Sequence, residues 1–151
     1  NLLSVDVHSG ILKRFNENGI LKEINEIRKF NIYELYERDK KVLIYFEKSK
    51  MRLIDYNKGI NIIDEFKKEK YHSFDYLNEY LVKVCENKIE VIYNRKKNVD
   101  YLSEDYIFLK GRIMNIDGDT YLFLLSALKS NIEISKLEKI VLYKSDQLVC
   151  N

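Results

Sequence analysis

Residues 106–125 read Tyr-Ile-Phe-Leu-Lys-Gly-Arg-Ile-Met-Asn-Ile-Asp-Gly-Asp-Thr-Tyr-Leu-Phe-Leu-Leu. Two apolar runs, Tyr106–Ile116 and Tyr121–Leu125, flank Asp117-Gly118-Asp119-Thr120. Asp-Gly between apolar runs signals a hairpin, because both turn positions then tolerate positive φ. Gly111 interrupts the first run, and a glycine inside a strand marks a bulge or a sharp bend. Such a bend lets a short sheet curl. Ile89–Tyr93 precedes the hairpin, and Asn131–Ile134 and Lys139–Tyr143 follow it. The pattern predicts a small β-barrel over residues 88–151.

Toward the N-terminus the period changes. Ser73 suits a helix N-cap. Phe74, Leu77, Leu81 and Val84 then recur at helical spacing and predict a helix over 74–86. In Asn61–Tyr71, Ile62, Ile63 and Phe66 are apolar, Asp64 and Glu65 lie early, and Lys67, Lys68 and Lys70 lie late. That charge order complements a helix dipole. The two helices make a linker over residues 60–87. Before it, Asn31–Glu37, Val42–Glu47 and Met51–Tyr56 are rich in Ile, Tyr, Leu and Phe and are separated by short charged breaks. They read as an antiparallel meander. Leu2–Val7 alternates as a strand does.

Gly10–Phe30 stays open between two readings. A helix would present Ile20, Leu21, Ile24 and Ile27 on one face. A hairpin would pair Ile11–Phe15 with Ile20–Ile24 across Asn16-Glu17-Asn18-Gly19, and the Asn-Gly step favours it. The Gly10 and Gly111 segments echo one another as glycine, apolar strand, polar turn, apolar strand. The expected fold class is α+β, with a β-rich part over 1–59, the helical linker over 60–87 and the barrel over 88–151. One compact domain sharing a core is the other partition.

The 151 residues are 46% hydrophobic and 33% charged, with a net charge of +2. That balance disfavours non-specific binding to DNA or an anionic membrane, so a nucleic-acid site has to be a local basic patch. Cys85 and Cys150 form no CxxC or Cys/His ladder, which argues against structural zinc and for reduced thiols in a cytoplasmic setting. No apolar run reaches the length of a membrane span, and no signal-peptide pattern opens the chain. It begins at Asn1 rather than Met, as a processed or partial chain would.

Arg95-Lys96-Lys97, with Tyr93 before and Tyr101 after, is the candidate ligand patch. Cations neutralise phosphates and tyrosine faces stack on bases. A solvated hairpin loop with core-facing tyrosines explains the same residues. The clusters Lys48, Lys50, Arg52 and Lys67, Lys68, Lys70 are diluted by Glu47, Asp64, Glu65 and Glu69 and read as solvated faces. Asp117 and Asp119 admit a cation, but turn chemistry accounts for them. Cys85 and His72 admit a nucleophile and its base, but an inert buried thiol accounts for Cys85, and His8 stands alone. Without GxSxG, HExxH, P-loop or GxGxxG motifs, no enzyme, metal or cofactor is expected.

Residues 73–143 carry, in order, a helix ending in Cys85-Glu-Asn-Lys88, the strand Ile89–Tyr93, Gly111-Arg-Ile-Met-Asn-Ile-Asp117, Thr120-Tyr-Leu-Phe-Leu124 and Ile132–Ile140. This order resembles the small Sm/SH3-like barrels of the WYL and YolD-like families. Tyr121-Leu122 sits at the Tyr-Leu position and Leu137-Glu138-Lys139-Ile140 at the closing segment. Thr120 stands where WYL domains have Trp, and Lys139 is nearest to their closing arginine. The resemblance implies binding of nucleotides or single-stranded nucleic acid.

The expected function is a non-enzymatic, regulatory binding module for nucleic acid or a nucleotide-like ligand, contacting it through Tyr93, Arg95, Lys96, Lys97 and Tyr101. The alternative is a protein–protein interaction factor of the mobile-element, immunity or assembly type. In that case Val42–Phe46 and Met51–Ile54 would offer an edge to a partner or to a second copy.

Overall fold

The computed structural model describes residues 2–26, 32–46 and 49–145, and every helix or strand among them is a strand. They are β1 (Leu2–Asp6), β2 (Ile11–Phe15), β3 (Leu21–Glu26), β4 (Ile32–Arg38), β5 (Lys41–Phe46), β6 (Lys50–Asp55) and β7 (Asn61–Lys67). There follow β8 (Ser73–Leu77), β9 (Tyr80–Val84), β10 (Lys88–Tyr93), β11 (Lys96–Leu102), β12 (Tyr106–Ile116), β13 (Asp119–Leu128) and β14 (Asn131–Tyr143). They form four up-and-down sheets in chain order: β1-β2-β3, β4-β5-β6-β7, β11-β10-β9-β8 and β12-β13-β14. Serial short meanders of this kind are the repeating element of blade-type β architectures. The chain divides into two units, residues 1–69 and 70–151, each holding two of the sheets.

In the first unit Leu12 of β2 packs with Val42 and Ile44 of β5, Ile54 of β6, and Tyr56 and Ile60 beyond it, with Leu3 and Val5 of β1 against them. Apolar burial thus joins the two sheets face to face. A polar clasp adds to it: the Ile60 amide donates to both Glu23 carboxylate oxygens, at 3.2 and 3.1 Å. The Tyr56 hydroxyl donates to Glu37 Oε1 at 2.6 Å.

In the second unit Tyr80, Val82 and Val84 of β9 and Ile89 and Val91 of β10 face Phe108 and Ile113 of β12 and Leu122 and Leu124 of β13. Each fully buried Val, Leu or Ile contributes about 1.5–3 kcal/mol. A Cβ on Gly111 would lie 3.2 Å from Val82 Cγ1 and 3.3 Å from Val84 Cγ2 and Leu122 Cδ1. The glycine is there to let the sheets approach. Asp75 Oδ2 accepts the Ile113 amide at 2.7 Å and holds β8 to β12.

The all-β structure overturns the α+β expectation. Residues 74–86 do not form a helix; they hold most of β8, a two-residue turn at Asn78-Glu79, and β9. Every residue of β9 is buried, so the strand has no alternation to display, and the spacing of Phe74, Leu77, Leu81 and Val84 is a coincidence of two strands. Residues 61–67 form β7 rather than a helix. Glu65 serves cross-strand pairing: it lies opposite Arg52, and Arg52 Nη2 meets Glu65 Oε2 at 2.7 Å.

The barrel is also absent. β12, β13 and β14 make an open sheet in which, among the described residues, β12 and β14 are each paired on one side only. Gly111 provides close packing between sheets instead of a bend that closes one. The ambiguous Gly10–Phe30 segment holds the hairpin β2–β3, and the meander at 32–55 is present with β7 as a fourth strand. Val42–Phe46 and Met51–Ile54 fall in β5 and β6, which are paired on both sides and offer no edge.

Candidate functional site: a tyrosine-lined cleft

Three hairpins of the second unit end in two-residue turns whose central residues both have positive φ. These are Asn78-Glu79 (+50°, +65°), Asn94-Arg95 (+48°, +67°) and Asp117-Gly118 (+51°, +86°). Mirror-image turns of this type match the right-handed twist of the strands they join. The Asn94 amide donates to the Glu79 carbonyl at 3.0 Å and ties the first two tips together.

Beside these tips lies a cleft of about 350 Å³, lined by Asn78, Tyr80, Tyr93, Asn115, Gly118, Thr120 and Tyr143. Small-ligand sites begin at roughly this volume. The Tyr80 and Tyr93 rings stand 4.7 Å apart at 42°. Tyr80 is anchored, its hydroxyl donating to the Leu142 carbonyl at 3.1 Å. Burial pushes the Tyr80 phenol upward in pKa, and the neighbouring Tyr93 and Tyr143 add to the effect. Tyr93 is 44% exposed.

The polar lining is partly ordered. Asn78 Nδ2 donates to Thr120 Oγ1 at 3.4 Å, and Thr120 Oγ1 donates to Asn115 Oδ1 at 3.5 Å. Each amide retains hydrogen-bonding capacity beyond these long contacts. Arg95 and Lys96 follow Tyr93 by two and three residues and are exposed. Asp119 is committed to structure. It accepts the Ser145 amide at 2.7 Å, the Ser145 hydroxyl at 2.8 Å and the Tyr121 hydroxyl at 3.2 Å. The Ser145 bonds lower its pKa most.

Of the five residues expected to form the ligand patch, the structure gathers Tyr93, Arg95 and Lys96 at one hairpin tip. The Lys97 side chain lies outside the described residues. Tyr101 sits near the far end of β11, opposite Ile89, where it packs on the core and burial raises its pKa. It lines a separate cleft of about 210 Å³ with Tyr106, Lys136 and Glu138. Sequence reasoning missed Asn78, Tyr80, Asn115, Thr120 and Tyr143. Asn78-Glu79 was the available signal, since Asn tolerates positive φ and opens mirror turns.

The other candidates separate. His72 Nε2 donates to the Leu109 carbonyl at 3.1 Å, whereas the Cys85 thiol points to Asn87 Oδ1 at 3.6 Å. Among the described residues no three His, Cys, Asp or Glu side chains are grouped to hold a metal. Arg52 is taken up by Glu65, and Lys68 Nζ lies 4.5 Å from the Tyr45 ring centre. Lys48 and Cys150 lie outside the described residues.

No family model and no curated protein matches the chain. Many solved structures resemble it, two of which illustrate the likeness. Sqt1 of Saccharomyces cerevisiae aligns over 92% of this chain and 43% of its own, with a TM-score of 0.51 and 11% identity. The glutaminyl cyclase of Myxococcus xanthus aligns over 93% and 68%, with a TM-score of 0.42 and 6% identity. The Sqt1 likeness is one of fold, and this chain spans less than half of that protein's length. Among the described residues no helix is long and apolar enough to cross a membrane.

Proposed function

We propose that the chain is a non-enzymatic binding module whose cleft takes a nucleotide-like ligand, either free or as part of a single strand. The observation that carries this is the convergence of Tyr80, Tyr93 and Tyr143 with the side chains of Asn78, Asn115 and Thr120, next to Arg95 and Lys96. A base stacks on the exposed Tyr93 ring, the amide and hydroxyl groups meet its edge, and the two cations receive phosphate. The proposal includes a cytoplasmic setting, whose reducing conditions keep Cys85 a thiol. A second reading, a protein-binding role, is favoured by one observation, the apolar outer face of β12–β14.

The test is equilibrium binding of labelled single-stranded RNA and DNA, with free nucleotides as competitors, at two salt concentrations. Phosphate-mediated binding weakens as salt rises. Tyr93→Ala should cost about ten- to a hundredfold in affinity, the worth of one stacked base. Replacing Arg95 and Lys96 by Ala should flatten the salt dependence by roughly 1.4 in slope, the value for two lost phosphate contacts on a single strand. Absence of binding at low salt refutes the proposal.

A further inference from the structure

Strand alternation divides the β12–β14 sheet into two faces. Ile113, Leu122 and Leu124 point into the core of their unit. On the opposite face the register sets three cross-strand rows. Met114, Tyr121 and Val141 form one; Arg112, Phe123 and Lys139 the next; Lys110, Leu125 and Leu137 the third. Lys139 Nζ lies 4.7 Å from the Tyr121 ring centre and confirms the shared side. Leu137 is 67% exposed and Val141 52%. Six of the nine positions are apolar, and the other three are cations. Among the described residues none of the three joins an ion pair.

Among the described residues, a second uncovered face belongs to β1–β3. Leu2, Phe15 and Leu21 form one row there, and Ser4, Lys13 and Ile24 form the next, with the lysine at its centre. Leu2 is 63% exposed and Ile24 58%. Its remaining row, Asp6, Ile11 and Glu26, brings two carboxylates.

We propose that the outer face of β12–β14 docks on the β1–β3 face of a second copy of this chain, head to tail. Charge selects that arrangement. Two β12–β14 faces placed together would oppose six cations across an apolar contact, a costly arrangement. Head to tail, the three cations meet a face on which Asp6 and Glu26 outnumber its one lysine, Lys13. Each face measures roughly 14 by 20 Å from strand spacing and rise, on the order of 300 Å². One contact therefore buries about 600 Å², below the ~1,200 Å² of a stable interface, so the association is weak and depends on concentration. Neither face shares a residue with the lining of the ligand cleft.

Sedimentation equilibrium of the whole chain tests it. The weight-average mass should rise above 18.1 kDa with concentration. Ile24→Lys, which repels the cationic face, and Leu137→Asp, which repels the acidic one, should each remain monomeric, while their circular dichroism stays that of the wild type. Both positions are exposed, so neither change disturbs a core. Mixing the two variants should restore a dimer, because each retains the face that the other lacks. The proposal is overturned by a wild-type chain that stays monomeric at every concentration. It is equally overturned by either variant associating like the wild type, or by a mixture that stays monomeric.

Discussion

Replacing Gly111 by Ala tests how closely the two sheets of the second unit are packed. The Gly111 φ lies outside the left-handed region, so Ala suits the backbone. Restricting the unfolded chain then stabilises by about 0.4–1 kcal/mol. Against this, the new methyl would lie 3.2–3.3 Å from Val82 Cγ1, Val84 Cγ2 and Leu122 Cδ1. Each contact must widen by a few tenths of an ångström. All three neighbours are 0% exposed. Valine is stiff at χ1, and a close-packed interior has little slack. Overpacking costs about 1–3 kcal/mol, so the net effect is a loss of roughly 0.5–2 kcal/mol. Urea unfolding followed by circular dichroism measures it. The double variant with Val84→Ala, which removes one colliding methyl, should lose about 1 kcal/mol less than the sum of the single changes. A neutral or stabilising Gly111→Ala that is additive with Val84→Ala would refute the close-approach argument.

Three further outcomes follow from named contacts. Lys83 is buried, pairs with Glu90 at 3.8 Å, and shares that carboxylate with the Tyr71 hydroxyl. Glu90→Ala should therefore cost about 3–5 kcal/mol, and Lys83→Met with Glu90→Leu should recover most of it in the same urea titration. Tyr56 has its pKa pushed up to about 12, first by burial and then by Glu37. The folded state therefore holds the proton more tightly than the unfolded chain, whose tyrosine titrates near 10. Stability of the first unit should be fully present below pH 10 and fall as pH rises toward 12, and Tyr56→Phe should flatten that fall. Arg95 sits at φ +67°. Arg95→Gly should stabilise the fold by about 1 kcal/mol while weakening nucleotide binding, measured by thermal unfolding and ligand titration on the same sample.

The parts of this fold that were legible in the sequence are those with a glycine turn or with short charged breaks between apolar runs, as in the β4–β5–β6 meander. Asp117-Gly118 announced the hairpin β12–β13, and Asn18-Gly19 favoured β2–β3 without deciding it against a helix. Asn78-Glu79 and Asn94-Arg95 make the same kind of turn with a charged residue where glycine is usual, so the first was absorbed into a supposed helix. β9 added to the error. Tyr80-Leu81-Val82-Lys83-Val84 is buried on both sides, which removes the alternation that distinguishes a strand. The acidic-then-basic order in β7 imitated a helix dipole, but Glu65 is placed to meet Arg52 on the next strand. The candidate site was half visible for a similar reason. Tyr93, Arg95 and Lys96 share one hairpin tip and are neighbours in the chain. Tyr80 and Thr120 reach the cleft only through the stacking of two sheets, which no local pattern encodes.

The contrast of β5 and β9 with β14 bears on why the β12–β14 face carries cations at all. β5 buries Val42, Leu43 and Ile44 in succession, and β9 is buried throughout; both have an apolar residue on each side. β14 has comparable apolar content in Ile132, Ile134, Leu137 and Val141, yet these side chains are exposed. Charges that served only to keep an open sheet soluble would be most effective at its most exposed positions, in place of Leu137 and Val141. Instead Lys110, Arg112 and Lys139 flank an apolar centre that is left intact. A basic rim around an uncharged centre permits burial against a face with carboxylates at its edge and penalises burial against another copy of itself. The β1–β3 face carries Asp6 and Glu26 in its edge row and Lys13 at its centre, among Leu2, Phe15 and Ile24, and its net negative charge meets that requirement.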